Sequence, residues 1–595
     1  MRRLPLLLGT LLPLLASTLA AQEAAPPAGD PPARVARISV AAGTVSLQPS
    51  GDTTWSLATP NYPLTTGDRL YADRGARAEL QVGRLSLRIA EESDVTVTSL
   101  TDQFLQVGLA QGTLRVSVYE MSPGDSVEID TPRGALTLLA AGEYRVDSPA
   151  DDRPMVIAVA RGTLQWTAGG VAQMVQGGQA ITVSGIDPIQ VASAVPAPPD
   201  DFDRWSALRD QKLAMSPSAK FVGRDIPGYS DLDDAGAWQP DAEYGPVWYP
   251  SGLAPDWAPY RHGHWVWIEP WGWTWVEREP WGYAPFHYGR WVYVRSRWGW
   301  APGTWAGRPY YAPALVVFDD GSSFRAGAQA WFPLGPGEPY RPWYHAGEAY
   351  RHRVNVVRFG RVRNVEPTAD VTAINYRNRR LAMTVVPVTT FRSGLPISRR
   401  ILPVTQDQVA RARIAPHPFV LPGASAEAGG SMAPPALRGR RPEWVQAPAP
   451  RAAPTAPSQR PLIVRRAIPA PRPAPAAEPG QPAAPAPKVL IGRRSPPPQE
   501  PPFEQRQKAM RPDAGRPLEP QQIDNLRRGK PAGPPRDQES PPHPAAPAPR
   551  PAPTAAPAPK AAPANPTPRA APAPKPGQGK PAPKPDERRR REPGR

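Results

Sequence analysis

Fifteen of the chain's 19 tryptophans stand between Trp238 and Trp343, and they are ordered. Glu269-Pro270-Trp271-Gly272 recurs as Glu279-Pro280-Trp281-Gly282, and Ser296-Arg297-Trp298-Gly299 echoes it without the proline. Proline at the second and glycine at the fourth position suit a type I turn. Between the turns, Gly263-His264-Trp265-Val266-Trp267 returns 26 residues later as Gly289-Arg290-Trp291-Val292-Tyr293. Alternation puts Trp265 and Trp267 on one strand face, and Trp271, Trp273 and Trp275 on one face if the next strand starts early. Flat indoles could stack on the C–H faces of sugar rings while Tyr, His and Arg bind the hydroxyls. The residues of such a platform are Trp271, Trp281 and Trp298, at the third position of their turns where a side chain projects, with Trp265, Trp267, Trp291 and Tyr293 on the strands. Two other uses compete. One is a protein or lipid interface. The other is core packing, the simpler expectation for any single Trp. Residues 260–305 hold only Val266, Ile268, Val276, Val292 and Val294 as branched aliphatics, so indoles must supply the interior.

Other chemistry is thin. His262 and His264 lie two apart and His287 follows in the matching hairpin, but zinc needs three or four convergent ligands. Glu269 or Glu277, which could complete a set, sit at turn or solvent positions, so hydrogen-bonding or surface histidines and no metal are expected. Glu269, Glu277, Glu279 and Asp256 could form a glycosidase pair, which needs carboxyls about 5 to 9.5 Å apart. Two of them belong to the repeated turn tetrapeptide, which favours a structural role. There is no cysteine and no G-x-S-x-G elbow, and Gly335-Pro336-Gly337 lacks the rest of a P-loop. The expectation is a non-enzymatic protein with no cofactor.

The elements that must position these residues are mostly strands. From about Arg34 to Val195, short alternating segments such as Leu80, Val82, Leu85, Leu87 and Ile89 are separated by Gly, Asp, Pro and Ser. Gly43-Thr44-Val45, Gly112-Thr113-Leu114 and Gly162-Thr163-Leu164 each lead a strand, which predicts stacked layers in a β-sandwich or short β-solenoid. Leu64-Thr65-Thr66-Gly67-Asp68-Arg69-Leu70, Gly112-Thr113-Leu114-Arg115-Val116, Asp130-Thr131-Pro132-Arg133-Gly134, Gly142-Glu143-Tyr144-Arg145-Val146 and Gly162-Thr163-Leu164-Gln165-Trp166 resemble the ordered landmarks of the FecR-like periplasmic domain. The resemblance covers residues 34–195 and implies the domain's fold. Iron-uptake regulators of that family couple it to a transmembrane helix and a cytoplasmic anti-sigma segment, a plan from which this chain departs.

A connecting helix is predicted over 199–217, capped by Asp200 and Asp201, with Phe202, Trp205 and Leu208 on its docking face. The run from Tyr244-Gly245-Pro246-Val247-Trp248 through Trp257-Ala258-Pro259-Tyr260 to Trp331-Phe332-Pro333-Leu334-Gly335 resembles a tryptophan-rich family of unknown function in exported bacterial proteins. That resemblance implies one small antiparallel β domain over 238–425, with hairpin repeats in 244–305 and no known activity.

The ends set the compartment. Arg2 and Arg3 precede an apolar run from Leu4 to Leu15 and small residues around Ala20 and Ala21, which reads as a signal peptide over 1–21. It is too short to span a membrane, and no cysteine is present for lipidation. The chain is therefore expected to be periplasmic or secreted. The net charge of +17 suggests nucleic acid until it is mapped. Residues 431–595 carry 30 Lys and Arg against 12 Asp and Glu, and 46 of the 87 prolines, which leaves the first 430 residues near neutrality. Residues 426–595 are expected to be a disordered basic Pro/Ala-rich tail, dispensable for folding. In an exported chain its charge points to anionic envelope material rather than nucleic acid. The reading is a mainly β envelope scaffold or binding protein, contacting peptidoglycan, lipopolysaccharide or another envelope protein. A sensory or regulatory module and a glycan hydrolase are the alternatives.

Overall fold

Strand alternation between Ala36 and Ala194 builds two stacked sheets in the computed structural model, which describes residues 29–423, 441–448, 462–464 and 488–533. One sheet runs, in order, Pro63–Leu64, Ala36–Ala42, Arg77–Val82, Leu85–Ile89, the second half of Phe104–Val118, Gly142–Ser148, Met155–Arg161, Gln179–Ser184 and Ile189–Ala194, all antiparallel. The other runs Ser56–Leu57, Val45–Gln48, Arg69–Ala72, Ser93–Leu100, the first half of Phe104–Val118, Ser126–Thr131, Gly134–Leu138, Thr163–Ala168 and Val171–Gln176. Among these strands the parallel step joins Phe104–Val118 to Ser126–Thr131. The alternating Leu, Val and Ile residues meet in one buried cluster between the sheets, so the architecture is a sandwich.

The long strand changes sheets at Gly112. There φ is +92°, and a Cβ would lie 2.3 Å from the Cα of Ser93, so only glycine lets the chain cross from one layer to the other.

The connecting helix spans Asp201–Met215 and is capped by Asp200 in a capping box with Asp203. It docks differently from the prediction: Leu208 is 66% exposed, and the buried positions are Ser206 and Leu213. Ion pairs hold the helix to the sandwich. Glu79, fully buried, pairs with Arg88 at 2.7 Å and Arg209 at 2.7 Å, and Asp210 pairs with Arg88 at 2.7 Å. Burial pushes the Glu79 carboxyl up, but the two guanidiniums outweigh it and hold it at about 2.

The tryptophan-rich part is antiparallel throughout. The hairpin Gly263–Ile268 with Gly272–Glu277 stands beside a four-stranded sheet ordered Gly236–Asp241, Gly245–Pro250, Arg297–Ala301 and Arg290–Val294. A second four-stranded sheet holds Thr384–Pro387, Ala328–Pro333, Val316–Asp319 and Ile414–Ala415. Twelve of the 15 clustered tryptophans are buried and the other three half-buried, in an apolar core that also takes in Val35 and Leu213.

Within the stretch expected to be a tail, residues 441–448 and 488–533 are folded. The strands Glu443–Gln446 and Val489–Gly492 pair in parallel and lie on the outer face of the second sheet, where Leu490 and Trp444 pack on Gly108. Trp444 donates to Asp130 at 2.9 Å, and the backbone amide of Arg493 donates to Glu128 at 2.6 Å. The helices Phe503–Met510 and Pro520–Arg527 follow, and Met510, Leu518 and Ile523 form a cluster against Trp267. These segments carry apolar residues among the prolines, enough to bury surface against an existing core. Leu462–Val464 pairs with Ile189–Ala194 at the edge of the first sheet, and the predicted signal peptide and the remaining stretches of the tail lie outside the described residues. Among the described residues no helix is long and apolar enough to cross a membrane.

Candidate functional site

The three echoes of the turn tetrapeptide do three different things. Glu269-Pro270-Trp271 is the loop of the first hairpin, because Ile268 pairs with Gly272. Glu279-Pro280-Trp281-Gly282 leads instead into the short helix Tyr283–His287. Ser296-Arg297-Trp298-Gly299 enters a strand: Val294 pairs with Arg297, and Arg295 and Ser296 have φ of 51° and 60°, a two-residue hairpin loop of type I′. Trp298 is therefore a strand residue opposite Tyr293.

Most of the predicted platform is interior. Trp265, Trp271, Trp281, Trp291 and Trp298 are buried, Trp267 is half-buried, and Tyr293 is 42% exposed. Trp265 stacks on Phe391 at 5.2 Å and meets Trp275 edge-on at 5.4 Å. Trp281 touches Trp248 at 5.0 Å and Trp257 at 6.1 Å, and Trp271 meets Tyr311 edge-on at 5.3 Å. With so few aliphatics, burying these rings is the main way this region can exclude water, at ~25 cal/mol per Å². The expectation that turn position would project Trp271 and Trp281 is thus corrected.

Of the predicted platform only Tyr293 is exposed. Tyr293 and Trp298 face each other across their hairpin with centroids 5.1 Å apart. They border a groove of about 550 Å³ whose opposite wall is the segment Pro250–Ala258. Trp257 lines it, and its indole N–H has no hydrogen-bond partner among the described residues. Arg261 is fixed there by bonds to Thr384 Oγ1 (3.1 Å) and to the carbonyls of Met383 and Asp256. Arg297 lies over the ring of Tyr249 at 4.1 Å and donates to Gln239 at 2.7 Å. Asp256 is exposed at the rim. The contribution of Trp257 and Arg261 was missed in the sequence because neither lies in a repeated unit.

The other candidates disperse. His287 is buried, donating from Nδ1 to the Ala312 carbonyl at 2.8 Å and stacked on Tyr311 at 4.8 Å. Burial lowers it to about 3 and His264 to about 4, so both stay neutral. His262 lies beside Trp257. Among the described residues no group of three or more His, Cys, Asp or Glu could hold a metal. Glu277 is buried beneath the first hairpin, accepting from Trp275 Nε1 at 3.0 Å and the Arg278 amide at 3.1 Å; burial raises it to about 8. Glu269 accepts from Trp267 and pairs with Arg506, each at 3.0 Å. The side chains of Glu269 and Glu277 are thus spent on internal bonds, and the Glu279 carbonyl accepts from Asn61.

Residues 229–338 match a family of unknown function, DUF6600. Two crystal structures of a putative anti-sigma factor from Parabacteroides distasonis ATCC 8503, at 1.65 and 2.50 Å, are similar at 11% and 12% identity. Each match covers 24% of this chain, and 64% and 63% of those chains, with a TM-score of 0.20. The chain thus spans a little under two thirds of their length. No curated protein matches.

Proposed function

We propose that this is an exported, non-enzymatic scaffold or binding protein of the bacterial envelope, and that the groove beside Tyr293 and Trp298 takes a cell-wall glycan. The observation that carries this reading is the exposed ring of Tyr293, backed by the buried Trp298, at an open groove whose lining holds the Trp257 N–H, unpartnered among the described residues, and fixed guanidiniums. Aromatic faces meet the C–H faces of a pyranose, and N–H donors meet its hydroxyl edge. The side chains of Glu269 and Glu277 are committed to internal hydrogen bonds and ion pairs, which favours binding over hydrolysis. The basic end of the chain adds a salt-sensitive attraction to anionic polymers.

The test is sedimentation of the full-length protein with purified peptidoglycan and with lipopolysaccharide at low and high salt. Binding through the groove persists at high salt, where the Debye length falls to about 3 Å at 1 M, and is lost in Tyr293→Ala. Binding that vanishes entirely with salt leaves only the charged end, and the groove reading fails.

A further inference from the structure

The C-terminal segments do more than cover the sandwich. Between them and the outer face of the second sheet lies a separate space of about 540 Å³. Its floor comes from outward-facing strand positions, Gln48 on Val45–Gln48 and Thr96 and Thr98 on Ser93–Leu100. Trp55 and Trp444 line it, and Pro496, Pro497 and Pro498 contribute from the C-terminal side.

Two features of the floor are unusual for a sheet under a cover. Gln48 is 7% exposed and Thr98 4%, yet Gln48 Oε1 and Thr98 Oγ1 have no hydrogen-bond partner among the described residues. A buried polar atom left unpaired costs free energy, which is recovered when a ligand supplies the missing group. On the floor Arg69 and Asp94 satisfy each other through two bonds of 2.7 and 2.6 Å, and the charges around it are of both signs: Asp52, Glu500, which pairs with Arg527, and Arg441, which donates to the Gly67 and Pro49 carbonyls.

The geometry points to a binding site for a neutral pyranose in this space, distinct from the groove at Tyr293. The half-buried indole of Trp444 and a run of proline rings offer apolar faces, beside the buried Trp55, and these suit the C–H faces of a sugar ring. The unpaired amide oxygen of Gln48 accepts from a hydroxyl or an acetamido N–H, and the Thr98 hydroxyl can donate or accept. Lining charges of both signs favour no net charge on the ligand. Trp444 belongs to the C-terminal segment and also donates to Asp130, so occupancy and docking of that segment are coupled.

The experiment is calorimetric titration of the full-length protein with cellobiose and with chitobiose, the second testing for the acetamido contact. The expected result is saturable heat with one or both sugars, weakened about tenfold or more by Gln48→Met and by Thr98→Val, the scale of one lost hydrogen bond. Each variant removes an unpaired buried atom, so each melts no lower than wild type without sugar. Trp444→Phe weakens binding as well, while Tyr293→Ala leaves it unchanged, which separates this site from the groove. Absence of heat with both sugars overturns the proposal, as does binding that survives Gln48→Met and Thr98→Val or that is lost in Tyr293→Ala.

Discussion

Asn61, in the sandwich, donates its side-chain amide to the carbonyl oxygen of Glu279 at 2.7 Å, and so reads the second copy of the repeated tetrapeptide. The same amide reaches the Glu277 carbonyl at 3.0 Å. Its oxygen accepts from Arg37 at 2.8 Å, and Arg37 in turn donates to the Pro280 carbonyl at 3.1 Å and pairs with Asp231 at 2.6 Å. Asn61 has φ of 67°, a left-handed conformation that Asn tolerates better than most residues. A buried polar lock thus joins the sandwich to the tryptophan-rich part.

Asn61→Gly keeps that backbone conformation but removes the amide. It is expected to cost about 2 to 4 kcal/mol, since two carbonyls and a buried guanidinium lose a partner. Differential scanning calorimetry should show the two parts beginning to melt separately. A single transition at the wild-type temperature would mean the lock is dispensable.

Trp281 and Tyr293 were equivalent candidates for a surface platform, and the structure separates them. Trp281→Ala should destabilise by about 3 to 5 kcal/mol through the cavity it leaves. Tyr293→Ala should stay within about 1 kcal/mol of wild type while abolishing salt-resistant glycan retention. Urea unfolding of both variants distinguishes the roles, and equal losses of stability would contradict the assignment.

Glu277 predicts a pH dependence. Burial raises its pKa from 4.5 to about 8, so the unfolded chain ionises there above pH 4.5 while the folded chain stays protonated. The associated stability is full below pH 4.5 and is lost as pH rises toward 8, at up to about 1.4 kcal/mol per pH unit. Glu277→Gln cannot ionise. The difference in unfolding free energy between wild type and this variant should shift across that window in favour of Gln as pH rises, and a flat difference would show the carboxyl is already ionised.

A chain ending at Gly423 loses the cover of Trp444, Leu490 and Ile491, the pair Arg506–Glu269 and the cluster on Trp267. Composition alone predicts that such a chain melts like the full-length protein. The structure predicts a fall of several degrees, since ~1 kcal/mol moves Tm by about 2–4 °C in a domain of this size. Coincident melting curves would restore the view of an unattached tail.

The sequence by itself determined the strand content, the alternating core of residues 80–109, the capped helix at Asp200 and the antiparallel hairpins around Trp265 and Trp291. Each follows from local periodicity or from a residue whose backbone preference is local. Only the tertiary structure decided how the indoles are turned inward. Trp271, Trp281 and Trp298 share one tetrapeptide position, but a hairpin loop, a helix start and a strand place them differently, because burial depends on which distant rings close over them. The lock at Asn61 and Arg37 and the docking of residues 441–446 and 488–527 were equally invisible. They pair positions hundreds of residues apart, and a proline-rich segment with a few apolar residues orders only where a sheet face already exists to receive it.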